Sequence, residues 1–370
     1  MSVRPVKNQR KRIGVLTSGG DCAGLNAIIR AVTYSAKEKG WDVVGFLDST
    51  DGMLARPVRA ISLDISMMDG NVLRSGGTML GTSSRASNSP LAWTQPDGTK
   101  IDRSQDVADA YHQFGLSALV VIGGDGSIGI LREVGKRTGI KIVGIPKTID
   151  NDIGASETTV GFHTAVAVAT EALDRLQPTA ASHQRVMILE VMGRDAGYIA
   201  LHSGIAGGAD VILIPEIPYQ LENVTRKITT MRQEGRMHSM IVVSEAVKAP
   251  DGQKVQTKFA DGQVRHGGIG QQLAAAITNA IGAETRVTVL GHIQRGGQPT
   301  ATDRLIATAF GTHAIELIAN EQFDNLVVWE GGKVTHVPLE EALEISNNCL
   351  TSDDMLIKTA RAMGICLGDS

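Results

Sequence analysis

The chain has 370 residues, 42% of them hydrophobic and 20% charged, which is the profile of a water-soluble folded protein with room for more than one core. Its formal net charge of -3 comes without any basic block, so no nucleic-acid partner is expected. Three scattered cysteines (Cys22, Cys349, Cys366) exclude a disulfide framework or zinc site. The basic residues Arg4 to Arg12 precede only a short apolar run, and no stretch of about 18 apolar residues follows, so a cytoplasmic chain with no membrane contact is expected.

In chain order, Ile13–Leu16 reads as a strand that enters Thr17-Ser18-Gly19-Gly20-Asp21 and then a helix over Leu25–Glu38. Strand, glycine turn and helix begin a doubly wound unit. Val43–Leu47 is the next strand, and Asp48–Asp69 reads as irregular. Leu73–Thr78 starts a second glycine-rich turn, and Thr82–Gly98 reads as a polar surface loop. A helix over Asp106–Phe114 leads to the strand Ala118–Ile122, then Gly123-Gly124-Asp125-Gly126-Ser127 and a helix to Arg137. Lys141–Ile145 is a buried strand stopped by Pro146, and helical spacing covers Thr159–Leu176. Further strands fit Val186–Glu190, Val211–Ile214, Met240–Val243 and Arg286–Leu290. Further helices fit Gly197–Ile205, Leu221–Gln233, Gly270–Ala280 and Thr302–Ala319. Ala249–His266 reads as a hairpin or excursion, and the tail from Val334 has no clear pattern.

Two glycine runs follow strands and lead into helices. Successive backbone N–H groups and a helix N-terminus can cradle phosphate there, and Asp125 adds a carboxylate for a hard cation such as Mg²⁺. Neither run is a P-loop, since G-x-x-x-x-G-K-S/T is absent. Glycines after strands also serve as plain turns, but two such runs in one chain favour phosphate. Pro146-Lys147-Thr148-Ile149-Asp150-Asn151-Asp152 follows an apolar strand, where open α/β sheets bind ligands. In an extended turn Asp150 and Asp152 point the same way, and one can take a proton from an attacking hydroxyl. The competing reading is that both only close the turn. Arg185, Arg194, Arg286 and Arg295 lie near strand ends and offer bidentate donors to a phosphorylated substrate. His292 and Glu245 occur beside them in the same kind of position.

In combination, LTSGGD, GGTMLGT, IGGDGS, PKTIDND, HQR, EVMGR and VLGHIQRGG resemble the phosphofructokinase family from Ile13 to about Ala319. The resemblance implies two similar three-layer α/β/α lobes with mostly parallel sheets and a cleft site. The donor lobe would comprise 1–160 plus 294–344 and the fructose 6-phosphate lobe 161–293 plus 345–370. The implied reaction is Mg²⁺-dependent phosphorylation of the 1-hydroxyl of fructose 6-phosphate, a step of glycolysis. By resemblance Gly20, Gly124, Asp125, Gly126, Ser127 and Lys147 take donor phosphates, with Asp125 toward the metal. Asp150 is the base with Asp152 beside it, Thr148 lies near the transferring group, and Arg194 stabilises charge. Met192, Gly193, Glu245, His292 and Arg295 contact the sugar phosphate from the same subunit. Arg185 and Arg286 reach it from a neighbour, which implies self-association.

The donor is expected to be ATP, because Gly126 leaves room where pyrophosphate users tend to carry an aspartate. Lys147 is typical of pyrophosphate users and supports that alternative. The chain departs from the family at Ala23, where proline is usual, and at Asp48-Ser49-Thr50, where a glycine–aromatic pair is common. It departs again after GGTMLGT, where Arg85, the residue that the resemblance offers for contact with the transferring donor phosphates, is displaced by one residue from the family arginine. Arg30 matches an effector arginine while Tyr34 replaces another, so weak or absent control by ADP or phosphoenolpyruvate is expected. A catalytically weak nucleotide-responsive interaction protein is the reading from another class. A different GGDG-type kinase would leave EVMGR and GHIQRGG without a purpose.

Overall fold

Short, continuously apolar runs form the strands, as buried parallel sheets require. The computed structural model describes residues 10–83, 89–249, 256–258, 264–345 and 349–369. The chain divides into two compact units. The first draws on residues 1–148, 153–161 and 298–346, and the second on 149–152, 162–297 and 347–370.

The first unit carries an eight-stranded mixed sheet. Across it run Lys333–Pro338, Asn325–Glu330, Ile142–Thr148, Ala118–Gly123, Arg12–Thr17, Asp42–Phe46 and Ala60–Leu63, with Val160–Gly161 added beside Lys147–Thr148. The outermost pair at each edge is antiparallel and the others are parallel. Ala118–Gly123 is buried at every position, as expected for a central strand covered on both faces. Successive strands run outward from Arg12–Thr17 on one side, and the chain later returns to its other side. The order therefore reverses between Arg12–Thr17 and Ala118–Gly123. In open α/β sheets a ligand crevice forms at such a reversal.

The second unit has four parallel strands in the order Val211–Leu213, Ser239–Ser244, Val186–Val191, Thr285–Val289. The helices Tyr198–Ala206, Leu221–Gln233 and Ile269–Ile281 provide the crossovers. Val186–Val191 lies between Ser239–Ser244 and Thr285–Val289, so the loops that leave these three strands gather at one carboxyl edge. Both units are α/β layers around largely parallel sheets, in agreement with the expected fold class.

The structure corrects four readings of the sequence. Residues 48–69 are not irregular: they hold the helix Thr50–Leu54, the strand Ala60–Leu63 and a single turn at Ile65–Met67. Pro146 does not stop its strand, which runs to Thr148. Pairing with Asn325–Leu326 ends at Gly144, so beyond that point a missing N–H costs little on that side. The helix expected from Thr159 starts at Phe162 and continues to His183, because Val160–Gly161 first joins the sheet. The tail is ordered by a hairpin, Asn325–Glu330 with Lys333–Pro338, whose turn is Gly331-Gly332 at φ 56° and 76°. Within Ala249–His266, Gln256–Lys258 pairs with Val264–His266 as a hairpin. Among the described residues no helix is long and apolar enough to cross a membrane.

In the first unit the helices Leu25–Glu38 and Ala301–Ala319 pack closely at Gly311. A Cβ there would lie 2.7 Å from Ala31 Cβ and 2.9 Å from the Ile28 carbonyl oxygen. Alanine gains about 1 kcal/mol of helix propensity over glycine, but forcing two backbones apart costs roughly 1–3 kcal/mol. Gly311→Ala is therefore expected to lower the urea midpoint, and an unchanged or raised midpoint would refute this close packing.

Candidate active site

In the first unit, both glycine runs lie at the carboxyl ends of the two strands that flank the reversal. The Ser18 N–H donates to the Ile122 carbonyl at 2.9 Å, which ties the first loop to the neighbouring strand. The Gly19 N–H donates to the Ser83 carbonyl, and Thr82 Oγ1 donates to the Gly19 carbonyl at 2.7 Å. Gly19 has φ 85°, a conformation in which a side chain would be strained. Its absent Cβ would also sit 3.3 Å from Ser127 Oγ and 3.4 Å from Lys147 Nζ. The structure therefore brings Gly19-Gly20, Ser127 and Lys147 together.

Gly124 caps the 14-residue helix Asp125–Thr138. Its carbonyl accepts the first helical bond, from Ile128, leaving the N–H groups of Asp125, Gly126 and Ser127 without intrahelical acceptors. They point with the positive end of the helix dipole toward any bound anion. Asp125 and Gly126 are exposed, and a Cβ on Gly126 would meet nothing within 4 Å. Lys147 is buried, and its ammonium donates to the Gly20 carbonyl. It buttresses the first loop rather than swinging freely. The Thr148 carbonyl accepts from Thr159 Oγ1 at 2.7 Å, which fixes the end of its strand. Arg85 lies outside the described residues.

In the second unit, three successive backbone N–H groups leave the end of Val186–Val191 and meet three different side chains. The Met192 N–H donates to Gln294 Oε1 at 2.7 Å. The Gly193 N–H donates to the Glu245 carboxylate, and the Arg194 N–H to the Asp150 carboxylate. Gly193 sits at φ 145°, and a Cβ would lie 2.6 Å from the Ala196 carbonyl oxygen, so the turn needs glycine.

Asp150 is buried, and that burial pushes its carboxyl above the ordinary value. The guanidinium of Arg295 opposes the rise most, followed by the Arg194 N–H and the Arg194 charge. Glu245 is pushed up to about 7, first by burial and then by the charge of Asp150. The Gly193 N–H and Arg295 pull in the other direction. His292 and Arg194 are exposed, and Arg295 is half-buried.

Asp152 departs from the reading of the sequence. Asn151 has φ 54°, so the turn is not extended and the two carboxylates do not run in parallel. Asp152 is half-buried, and its charge helps to raise the Tyr198 hydroxyl and the Cys349 thiol. Arg185 and Arg286 lie at the amino ends of their strands, with Arg286 opposite Met187. One oxygen of Glu284 accepts from Arg185 Nε at 2.8 Å and from Arg286 Nη2 at 2.5 Å. The strands separate this pair from the loops of Met192, Glu245 and His292, so the structure does not bring all six arginine, histidine and glutamate candidates together.

Three site residues escaped the reading of the sequence. Glu190 is 1% exposed and accepts from the Gly268 and Gly270 N–H groups, at 2.9 and 2.8 Å, at the start of helix Ile269–Ile281. Its signal was a lone acid in an apolar strand. Glu216 accepts from the Gly197 N–H at 2.9 Å and closes the far end of the loop that carries Arg194. Gln294 stood unnoticed between His292 and Arg295.

A doubly wound fold, a helix N-terminus with an exposed acid, and a buried carboxylate between guanidiniums define a phosphoryl-transfer class of protein. The phosphofructokinase family model matches residues 12–318, and the chain belongs to that family. It is 54% identical over 362 residues to ATP-dependent 6-phosphofructokinase 1 of Nostoc sp., covering 98% of this chain and 100% of that relative. It is 43% identical to ATP-dependent 6-phosphofructokinase 2 of Clostridium perfringens, covering 97% and 99%. Among solved structures, Pichia pastoris phosphofructokinase in the T-state has a TM-score of 0.77 at 28% identity, over 92% of this chain and 36% of that one.

Glu245 carries a consequence for stability. Its folded value lies above the ordinary 4.5, so between about pH 4.5 and 7 the folded chain holds a proton that the unfolded chain has released. Stability therefore falls as pH rises through that window. The fall between pH 5 and 7.5, read from urea midpoints, is expected to be smaller in Glu245→Gln than in the native chain. Equal falls would remove Glu245 as its source.

Proposed function

We infer that the chain transfers the γ-phosphoryl group of ATP to the 1-hydroxyl of fructose 6-phosphate, giving fructose 1,6-bisphosphate and ADP. The observation that carries this reading is the Asp150 carboxylate, buried and held by the Arg194 N–H in the field of two guanidiniums. Burial lifts its proton affinity toward what a general base needs, while Arg295 and Arg194 keep the ionised form accessible. Asp150 takes the proton of the 1-hydroxyl as that oxygen attacks the γ-phosphorus. The bond to the β,γ-bridging oxygen breaks and ADP leaves. Arg194 spreads the charge that develops on the transferring group, and Thr148 hydrogen-bonds it.

Gly20, Gly124, Gly126 and Ser127 hold the donor phosphates through the loop and helix N–H groups described above. The open space at Gly126 suits the α-phosphate of a nucleotide. Lys147 serves the same loop through the Gly20 carbonyl, so it does not by itself argue for pyrophosphate. Among the described residues no group of three metal-ligating side chains converges. Mg²⁺ binds through one or two carboxylates plus substrate phosphates and water rather than in a protein cage. Asp125 is the carboxylate that would hold it, and the ion would neutralise phosphate charge.

On the acceptor side, Met192 and Gly193 line the sugar, Glu245 accepts from its hydroxyls, and His292 and Arg295 bind its phosphate end. Asp152 keeps the neighbourhood of Asp150 acidic. Arg185 and Arg286 face away from these loops, which suits a role in a neighbouring subunit's site and a self-associating enzyme. Arg30 stacks on Tyr34 at 4.5 Å and donates from Nε to the Met68 carbonyl, so part of its guanidinium is engaged within the chain. This supports weak control by ADP or phosphoenolpyruvate.

A coupled assay with fructose 6-phosphate and Mg²⁺ is expected to show turnover with ATP and at least about tenfold less with pyrophosphate. Asp150→Ser is expected to cut kcat by about 10²-fold or more, with the KM for fructose 6-phosphate little changed. Faster turnover with pyrophosphate would overturn the donor, and full activity of the variant would remove Asp150 as the base.

A further inference from the structure

We propose that Gln294 is a positioning residue that sets the affinity for the sugar phosphate by locking the Met192–Arg194 turn. The inference rests on the acceptor-binding reading of Glu245 and the catalytic reading of Asp150. Gln294 is 1% exposed, and both ends of its amide are engaged. Oε1 accepts the Met192 N–H at 2.7 Å, and Nε2 donates to the Ala165 carbonyl at 3.4 Å, in the first turn of helix Phe162–His183. Its own backbone belongs to the turn Gly291–Arg295, between His292 and Arg295. One side chain thus joins a strand end, a helix and the turn that carries two acceptor-binding residues.

The polarity of this arrangement is specific. Met192 N–H, Gly193 N–H and Arg194 N–H are consecutive along the chain, and the second and third hold Glu245 and Asp150. An apolar residue at 294 would strand a buried N–H and release the first of the three, so the other two would lose their fixed direction. Glutamate keeps the acceptor for Met192 but sets an oxygen against the Ala165 carbonyl. Only its protonated form restores a donor there. Asp150, Glu190 and Asp195 add negative charge from the adjoining segments, Arg194 and Arg295 add positive charge, and Glu245 itself loses its proton near pH 7. Protonation of that glutamate is thus read against the native enzyme at each pH.

The test compares native, Gln294→Leu and Gln294→Glu enzymes by steady-state kinetics and by hydrogen exchange at the Met192 amide. Gln294→Leu is expected to raise the KM for fructose 6-phosphate about tenfold or more, with the KM for ATP within about twofold and faster exchange at Met192. Gln294→Glu is expected to show the same defect relative to native at pH 8 and to approach native at pH 6. Should the leucine variant fail to fold, the glutamate variant's pH response and its exchange carry the test. A folded leucine variant with the native KM for fructose 6-phosphate would overturn the proposal. So would a parallel rise in both KM values with faster exchange throughout the unit, or a glutamate variant whose ratio to native is the same at both pH values. A native chain with no turnover of fructose 6-phosphate would instead remove the activity reading.

Discussion

Three consecutive peptide N–H groups, those of Met192, Gly193 and Arg194, are the constraint on which the placement of Gln294, Glu245 and Asp150 depends. Backbone donors in such a turn cannot be aimed independently, since fixing one peptide plane limits the next. The turn exists because Val186–Val191 ends between two parallel neighbours and because glycine at 193 accepts φ 145°. Each donor then falls on a side chain from a different segment. Residues 150, 245 and 294, distant in the sequence, thus meet at one turn.

Electrostatics turns that geometry into chemistry. Two carboxylates this buried would both favour the protonated form in an apolar setting, and the charge of Asp150 raises Glu245 further. Peptide N–H groups and the Arg295 guanidinium offset that cost unequally. Arg295 is the largest opposing influence on Asp150 but acts on Glu245 less than the Gly193 N–H does. Arg295 and the Arg194 N–H thus oppose, at Asp150, the protonation that burial favours.

Much of this was legible in the sequence, and the failures have physical causes. Apolar runs ending in glycine marked the strands, and the motifs fell where strands end, with Asp125 opening a helix and Asp150 and Arg194 following strands. Pro146 misled because its meaning depends on whether a neighbouring strand demands its N–H, which is a tertiary fact. The parallel reading of Asp150 and Asp152 assumed an extended peptide, and Asn151 at φ 54° broke it. Gln294 carried no signal of its own and Glu190 only that of a lone acid in an apolar strand, because their partners lie about 80 to 129 positions away. The Gly331-Gly332 hairpin was readable from local turn preference and was passed over.

The arginines show how position can outweigh residue type. Arg194 and Arg295 sit at carboxyl ends of strands, while Arg185 and Arg286 sit at amino ends and share Glu284. A six-residue strand spans roughly 20 Å, far beyond the reach of a guanidinium. Side-chain flexibility cannot bring the second pair to the first within this unit. If both pairs serve one sugar phosphate, the second pair must come from another copy of the chain, and a monomer would hold an acceptor site short of two cations. The exposed ion pairs with Glu284 are worth little individually in water. Both guanidiniums therefore lose little by leaving Glu284 for another anion, so their present pairing does not stand against such a role.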